Sequence, residues 1–132
     1  SAADFSAAAL VYQHGDTPDH FYQTFIWSKR AVELGDSKQN NLLALGLDRY
    51  LVSTGRKQLF ASQAHHGPNE NCFCLQPVEK SFPDSDRVKY TNRSLAESLK
   101  WVDSLNAGKC PPARECDEVL QPTPSGSIPG FW

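Results

Sequence analysis

The sequence predicts a mainly α-helical protein: a small bundle of about four helices built on an antiparallel helical hairpin. Three observations lead to this fold class. Apolar residues recur at helical spacing in several segments of the chain. Capping residues and glycines bound those segments. The four cysteines and most of the nine prolines lie in the second half, where they predict a long irregular region stapled by disulfides and then an irregular C-terminal tail.

The first two helices each have a start or a stop signal. A first helix is predicted over residues 4–14, because Gly15 is a natural stop just after it. Thr17 and Pro18 then offer an N-cap followed by proline at the first helical position, where its missing N–H does no harm. Apolar residues recur from there about every 3.6 residues until Gly35 ends the second helix.

The third helix completes the predicted hairpin. Ser37 is its expected cap, its leucines crowd one broad side, and Thr54-Gly55 ends it. Only Gly35-Asp36-Ser37 connects it to the second helix, and so short a connection requires the two helices to lie antiparallel.

The pattern changes in the second half of the chain. Residues 58–63 predict a short extended segment, and residues 64–90 predict a long irregular excursion. A last helix is predicted from Ser94, because Ser94-Leu95-Ala96-Glu97 forms a capping box. We therefore expect one helical domain over residues 1–120 and an irregular tail rich in proline, glycine and serine over residues 121–132.

The cysteines predict two disulfides. Cys72 and Cys74 point to opposite faces of an extended segment and would pair poorly, so we expect both to bond with Cys110 and Cys116. Four cysteines allow three connectivities, and a four-cysteine zinc site is the alternative, although neither pair has the usual C-x2-C spacing. The opening Ser1-Ala2-Ala3 is typical of what signal-peptide cleavage leaves. These features predict a secreted protein, extracellular or periplasmic.

Charge and hydropathy exclude two classes of partner. The formal net charge is −2, so there is no concentrated basic surface for nucleic acid. No apolar run approaches the roughly 18 residues that a membrane span needs. The expected partner is a protein or a small-molecule ligand, and no cofactor is expected. The triplet Asn92-Arg93-Ser94 is an N-glycosylation sequon.

Two resemblances concern the first half of the chain. Residues 31–36 followed by 42–46 resemble the helix-turn-helix unit of Sel1-like or tetratricopeptide repeats, of which about one is visible. The blocks Gln13-His14-Gly15, Asp48-Arg49-x-Leu51 and Gly55-x-x-Gln58-x-Phe60-Ala61-Ser62-Gln63 are similar to a family of uncharacterised proteins that read Q-H-G, D-R-x-L and G-x-x-Q-x-[YF]-G-T-Q. This match covers about residues 5–63 and implies a helical fold and a shared polar set, with no known activity.

The shared polar set is the candidate site. Its candidate catalytic residues are His14, Asp48 and Arg49, and its candidate ligand-binding residues are Gln13, Gln58 and Gln63. In an enzyme, the histidine would be the acid/base, the aspartate its orienting partner and the arginine an anion clamp. In the structural alternative, the aspartate and the arginine anchor the segment 55–63 and the histidine caps the first helix.

Three functions stay open at this point. The first is a secreted binding module, favoured by the cross-linked excursion and by the lack of a specific catalytic motif. The second is a small secreted hydrolase or lyase that acts on a polar or anionic substrate. The third is a secreted toxin, effector or cognate inhibitor. His65 and His66 fit solvated loop residues better than copper or zinc ligands, so no metal site is predicted.

Overall fold

The computed structural model describes residues 1–13, 15–66 and 71–132. Within these ranges the chain forms five α-helices, a short 3₁₀ helix and a two-stranded antiparallel sheet. The elements are α1 (Ala2–Gln13), α2 (Pro18–Glu33), the 3₁₀ helix (Ser37–Gln39), α3 (Asn40–Ser53), β1 (Ala64–His65), β2 (Cys74–Leu75), α4 (Asp84–Thr91) and α5 (Leu95–Asn106). The mainly helical fold class is confirmed, whereas the predicted number of about four helices is one too low.

Helix α2 lies between α1 and α3 and contacts both along their lengths. Gly46 of α3 allows a close approach, since a Cβ atom there would lie 2.8 Å from the Thr24 side chain and 3.0 Å from the Phe25 nitrogen. The hydroxyl of the same Thr24 side chain donates to the Ala9 carbonyl of α1 at 3.4 Å. Three closely packed helices therefore form the frame on which the rest of the chain is built.

The predicted N-caps at Thr17 and Ser94 are confirmed, because each side chain makes its capping hydrogen bond. The Thr17 hydroxyl accepts from the His20 amide at the start of α2, and the capping box at Ser94 and Glu97 is formed at the start of α5. The predicted start of α3 at Ser37 is wrong, because residues 37–39 form the 3₁₀ helix, which Asp36 caps.

One other predicted boundary also needs correction. Helix α1 begins at Ala2 rather than at residue 4, because the Ser1 carbonyl already accepts from the Phe5 amide at 3.2 Å. The segment 58–63, predicted as a short extended piece, contains no strand, and its Gln58 forms an isolated parallel bridge with Val78.

The predicted irregular excursion over residues 64–90 contains helix α4. Asp84 and Asp86 in the first turn are favourable start signals for a helix, and Pro83 occupies the N-cap without a side-chain capping bond. The helix has few apolar residues, so hydrophobic periodicity does not reveal it.

The C-terminal segment 121–132 has no helix or strand and closes the larger core cluster. Ile128 is buried, and the Phe131 ring centroid lies 5.3 Å from that of Phe25 and 5.7 Å from that of Tyr90. The Trp132 indole nitrogen donates to the Thr123 carbonyl at 2.8 Å. The segment is thus part of the packed body.

Glu79 anchors this segment through its carboxylate. Oε1 accepts from the Thr123 amide at 2.6 Å, and Oε2 accepts from the Ser81 hydroxyl at 2.8 Å. Burial raises the pKa of Glu79, but these hydrogen bonds outweigh it and hold the pKa below its ordinary value of 4.5. A lowered folded-state pKa means that the stabilisation is present above the unfolded pKa and is lost as pH falls through the folded pKa.

We expect Glu79→Gln to lower the free energy of unfolding near neutral pH by about 1 kcal/mol, since a neutral acceptor replaces a charged one. At an acidic pH below the folded-state pKa the wild-type carboxyl is also neutral, so the difference between the two proteins shrinks. Denaturant unfolding at both pH values measures this. Glu118→Gln, at an exposed position, is the matched control, and a difference that stays constant with pH would contradict the expectation.

Candidate functional site

Asp48 is a fully buried carboxylate of α3 that accepts four hydrogen bonds from one loop. Its Oδ1 accepts from the amides of Leu59 at 2.9 Å and Phe60 at 3.0 Å. Its Oδ2 accepts from the Ser62 amide at 3.0 Å and from the Ser62 hydroxyl at 2.7 Å. Burial raises the pKa of Asp48, and the four hydrogen bonds oppose this rise. The carboxylate therefore fixes residues 59–62 against α3.

The Gln58 side chain bridges the two ends of the same loop and also contacts Gln76. Its side-chain nitrogen donates to the carbonyls of Gln63 at 3.0 Å and Gln76 at 2.8 Å, and its side-chain oxygen accepts from the Gln63 amide at 2.9 Å. Gln63 in turn donates from its side chain to the Ser62 hydroxyl at 3.1 Å. We call Asp48, Gln58, Ser62 and Gln63 the polar unit.

Ala61, which lies in the loop held by the polar unit, has a left-handed backbone conformation. This buried residue has φ = 61°, in the left-handed region that glycine adopts without strain. The resembled family has glycine at this position and threonine at the next.

Arg87 holds the other side of the loop, and the sequence pattern gave no indication of it. The side chain is 3% exposed. It donates to the Leu59 carbonyl at 2.8 Å, to the Glu79 carbonyl at 2.7 Å and to Asp84 at 3.1 Å. The Leu59 amide thus donates to Asp48, and the Leu59 carbonyl accepts from Arg87. A hydrogen bond from the Leu95 amide and the bond from Arg87 lower the pKa of Asp84.

Of the other predicted site residues, the structure describes only the side chain of Arg49. The Arg49 guanidinium carbon lies 4.3 Å from the centre of the Phe21 ring, a cation–π contact. Gln13 is the last residue of α1, and its side chain, like the whole of His14, lies outside the described part of the chain. The structure therefore brings Asp48, Gln58 and Gln63 together, and the predicted role of His14 stays a prediction.

Both disulfides join the segments that the sequence predicts. Cys72 bonds with Cys110 and Cys74 bonds with Cys116, which leaves no thiolate for the zinc alternative. In the ranges that the structure describes, no group of three or more histidine, cysteine or acidic side chains is placed to hold a metal ion.

A pocket of about 510 Å³ lies between the two cross-linked segments. We call it the disulfide-framed pocket, because Cys72, Cys74 and Cys116 form part of its wall. The lining residues used below are His65, Phe73, Asn106, Pro112, Arg114 and Glu118. The predicted disulfides indicate that the two segments lie together, but no residue pattern indicates that a cavity opens between them.

Hydrogen bonds fix the walls of this pocket in addition to the disulfides. The Asn106 side chain pairs with the Phe73 backbone, accepting from its amide at 2.7 Å and donating to its carbonyl at 3.2 Å. The Leu75 amide donates to the Arg114 carbonyl at 3.0 Å, and the Cys116 amide donates to the Leu75 carbonyl at 2.8 Å. Backbone hydrogen bonds thus tie the two walls to each other, as the disulfides do, and the Asn106 side chain ties one of them to α5.

The chain matches no protein-family model, and neither a curated protein nor a solved structure is significantly similar to it. The resemblances to the uncharacterised family and to Sel1-like repeats therefore stay predictions. Among the described residues, no helix is both long enough and apolar enough to cross a membrane.

Proposed function

We propose that the chain is a secreted binding module that holds a small ligand, or a side chain of a protein partner, in the disulfide-framed pocket. The observation that carries this proposal is the position of the two disulfides, which join the two segments that line the pocket. Disulfides persist in oxidising compartments, which supports secretion.

The fixed walls favour binding. A pocket that is already formed loses little conformational entropy when a ligand enters, and its volume is in the range of small-molecule sites. The bonds from Asn106 to Phe73, together with the disulfides, supply this rigidity.

The lining indicates the chemistry of the ligand. Phe73, Pro112 and His65 offer flat, largely apolar contacts. Arg114 and Glu118 add charges, but Arg114 is already paired with Asp117 at 3.0 Å. We therefore favour a ligand with an apolar ring and with a polar or cationic group that contacts the Glu118 carboxylate.

The polar unit supports an architectural role rather than the enzyme alternative. Both oxygens of Asp48 are occupied by the loop, so it would have to release a hydrogen bond to orient a histidine. The Gln58 side-chain amide is likewise engaged, by Gln63 and by the Gln76 carbonyl. A binding module needs these residues only to keep the fold.

Titration with benzamidine and with benzoate, followed by backbone amide NMR, tests the proposal. Each probe has 9 heavy atoms, and at about 0.3 kcal/mol per atom the expected Kd is in the millimolar range. We expect the largest shifts at Phe73 and Arg114, with benzamidine binding more tightly. Pro112→Trp should fill the pocket and abolish the shifts, whereas Val119→Trp, at a 96% exposed position outside the lining, should keep them. Shifts that Pro112→Trp leaves unchanged would contradict the proposal.

A further inference from the structure

Asn92 lies in the tight connection between α4 and α5. It is the C-cap of α4, with φ = 59° and ψ = 20°, and its amide donates to the Val88 carbonyl at 2.9 Å. The residue is exposed, and it begins the only Asn-x-Ser/Thr triplet of the sequence. The turn therefore presents the sequon at the surface of the folded protein.

The groups around Asn92 leave its side-chain amide accessible. No hydrogen bond of this side-chain amide occurs within the described ranges. The Arg93 guanidinium lies over the Trp101 ring at 4.5 Å, and the Ser94 hydroxyl accepts from the Glu97 amide at 3.2 Å. Both neighbours therefore make their contacts with α5.

We infer that Asn92 is an N-glycosylation site, which takes an oligosaccharide from a lipid pyrophosphate donor during secretion through a eukaryotic pathway. The bond formed joins the Asn92 Nδ2 to C1 of the first sugar. The bond broken is the one between that C1 and the pyrophosphate oxygen, so the lipid pyrophosphate leaves with the electron pair. The amide proton goes to a base of the transferase. This inference rests on the secretion part of the proposed function and is independent of the pocket.

The position of Asn92 is compatible with a ligand in the pocket. Asn92 precedes the start of α5, and Asn106, which lines the pocket, is its last residue. The 12 residues of α5 span about 18 Å, so a glycan at one end leaves the other end open. The glycan would instead cover Val88, an exposed apolar side chain one turn before Asn92.

The test is expression of the full chain with a secretory signal in yeast. Culture medium and cell extract are both digested with peptide N-glycosidase F and analysed by mass spectrometry. We expect the wild type to lose the mass of one N-glycan and to show aspartate at position 92 after digestion. Asn92→Gln should abolish this mass change completely.

Two substitutions at Ser94 separate the sequon from the helix cap. Ser94→Thr keeps both functions and should stay glycosylated. Ser94→Asp keeps a good N-cap but removes the hydroxyl that the transferase requires, so it should fold and carry no glycan. A wild-type chain with no mass change in either fraction, or a glycan that persists in Ser94→Asp, would overturn the inference. Benzamidine binding to the unglycosylated chain tests the pocket separately.

Discussion

Asp48→Ala is expected to lower the free energy of unfolding by about 4 kcal/mol, a large part of the stability of a small domain. The substitution leaves the amides of Leu59, Phe60 and Ser62 and the Ser62 hydroxyl without their acceptor. Each unsatisfied buried donor costs about 1–3 kcal/mol. The total cost is smaller than the sum of these terms, because the loop can relax and expose some of the donors to water. Thermal and denaturant unfolding measure the loss.

Two further variants make this result specific. Asp48→Asn keeps one acceptor oxygen but places an amide group against the Ser62 donors, so we expect a loss of about 2 kcal/mol. Asp19→Ala removes an exposed carboxylate in the first turn of α2 and should cost less than about 1 kcal/mol. An Asp48→Ala protein that is as stable as Asp19→Ala would refute an architectural role, and loss of a turnover reaction at unchanged stability would favour the enzyme alternative.

Arg87→Met is expected to lower the free energy of unfolding by about 3 kcal/mol. Methionine fills much of the same space, but the carbonyls of Leu59 and Glu79 lose their buried donors. Arg87→Lys should recover little, because one ammonium group cannot reproduce the three directions of the guanidinium donors.

Arg114→Met is the matched control for Arg87→Met. Arg114 also makes an ion pair with an aspartate three residues away, but its side chain is 66% exposed. Exposed pairs contribute about 0–1 kcal/mol, so we expect little change in the melting temperature. Equal losses in the Arg87 and Arg114 variants would contradict the structural role of Arg87.

The parts of the fold that the sequence predicts are those decided by local hydrogen bonds or by the geometry of disulfide bonds. Thr17 and Ser94 cap helices with donors only three residues away, so their effect can be read from the sequence. The pairing of the segment 72–74 with the segment 110–116 follows from the poor geometry of a bond between near neighbours.

The parts that the sequence does not predict depend on distant residues. Arg87 is buried because it finds acceptors at Leu59, 28 positions earlier, and at Glu79. Without those acceptors, an arginine in a polar stretch reads as a surface residue. The docking of Phe131 on Phe25 and Phe60 is equally invisible along the chain.

The polar unit was predictable in part of its membership but not in its role. The sequence grouped Asp48, Gln58 and Gln63 through a resemblance, and the structure places these three together. Whether a carboxylate serves a substrate or a loop depends on where the amides of residues 59–62 point, and no residue pattern reveals that.

A crystal structure of the oxidised chain soaked in benzamidine tests the binding proposal most directly. We expect the ring between Phe73 and Pro112, with its amidinium near Glu118 and both disulfides intact. A ring bound instead at the apolar depression between Phe5 and Trp27, with the disulfide-framed pocket empty, would contradict the proposed function.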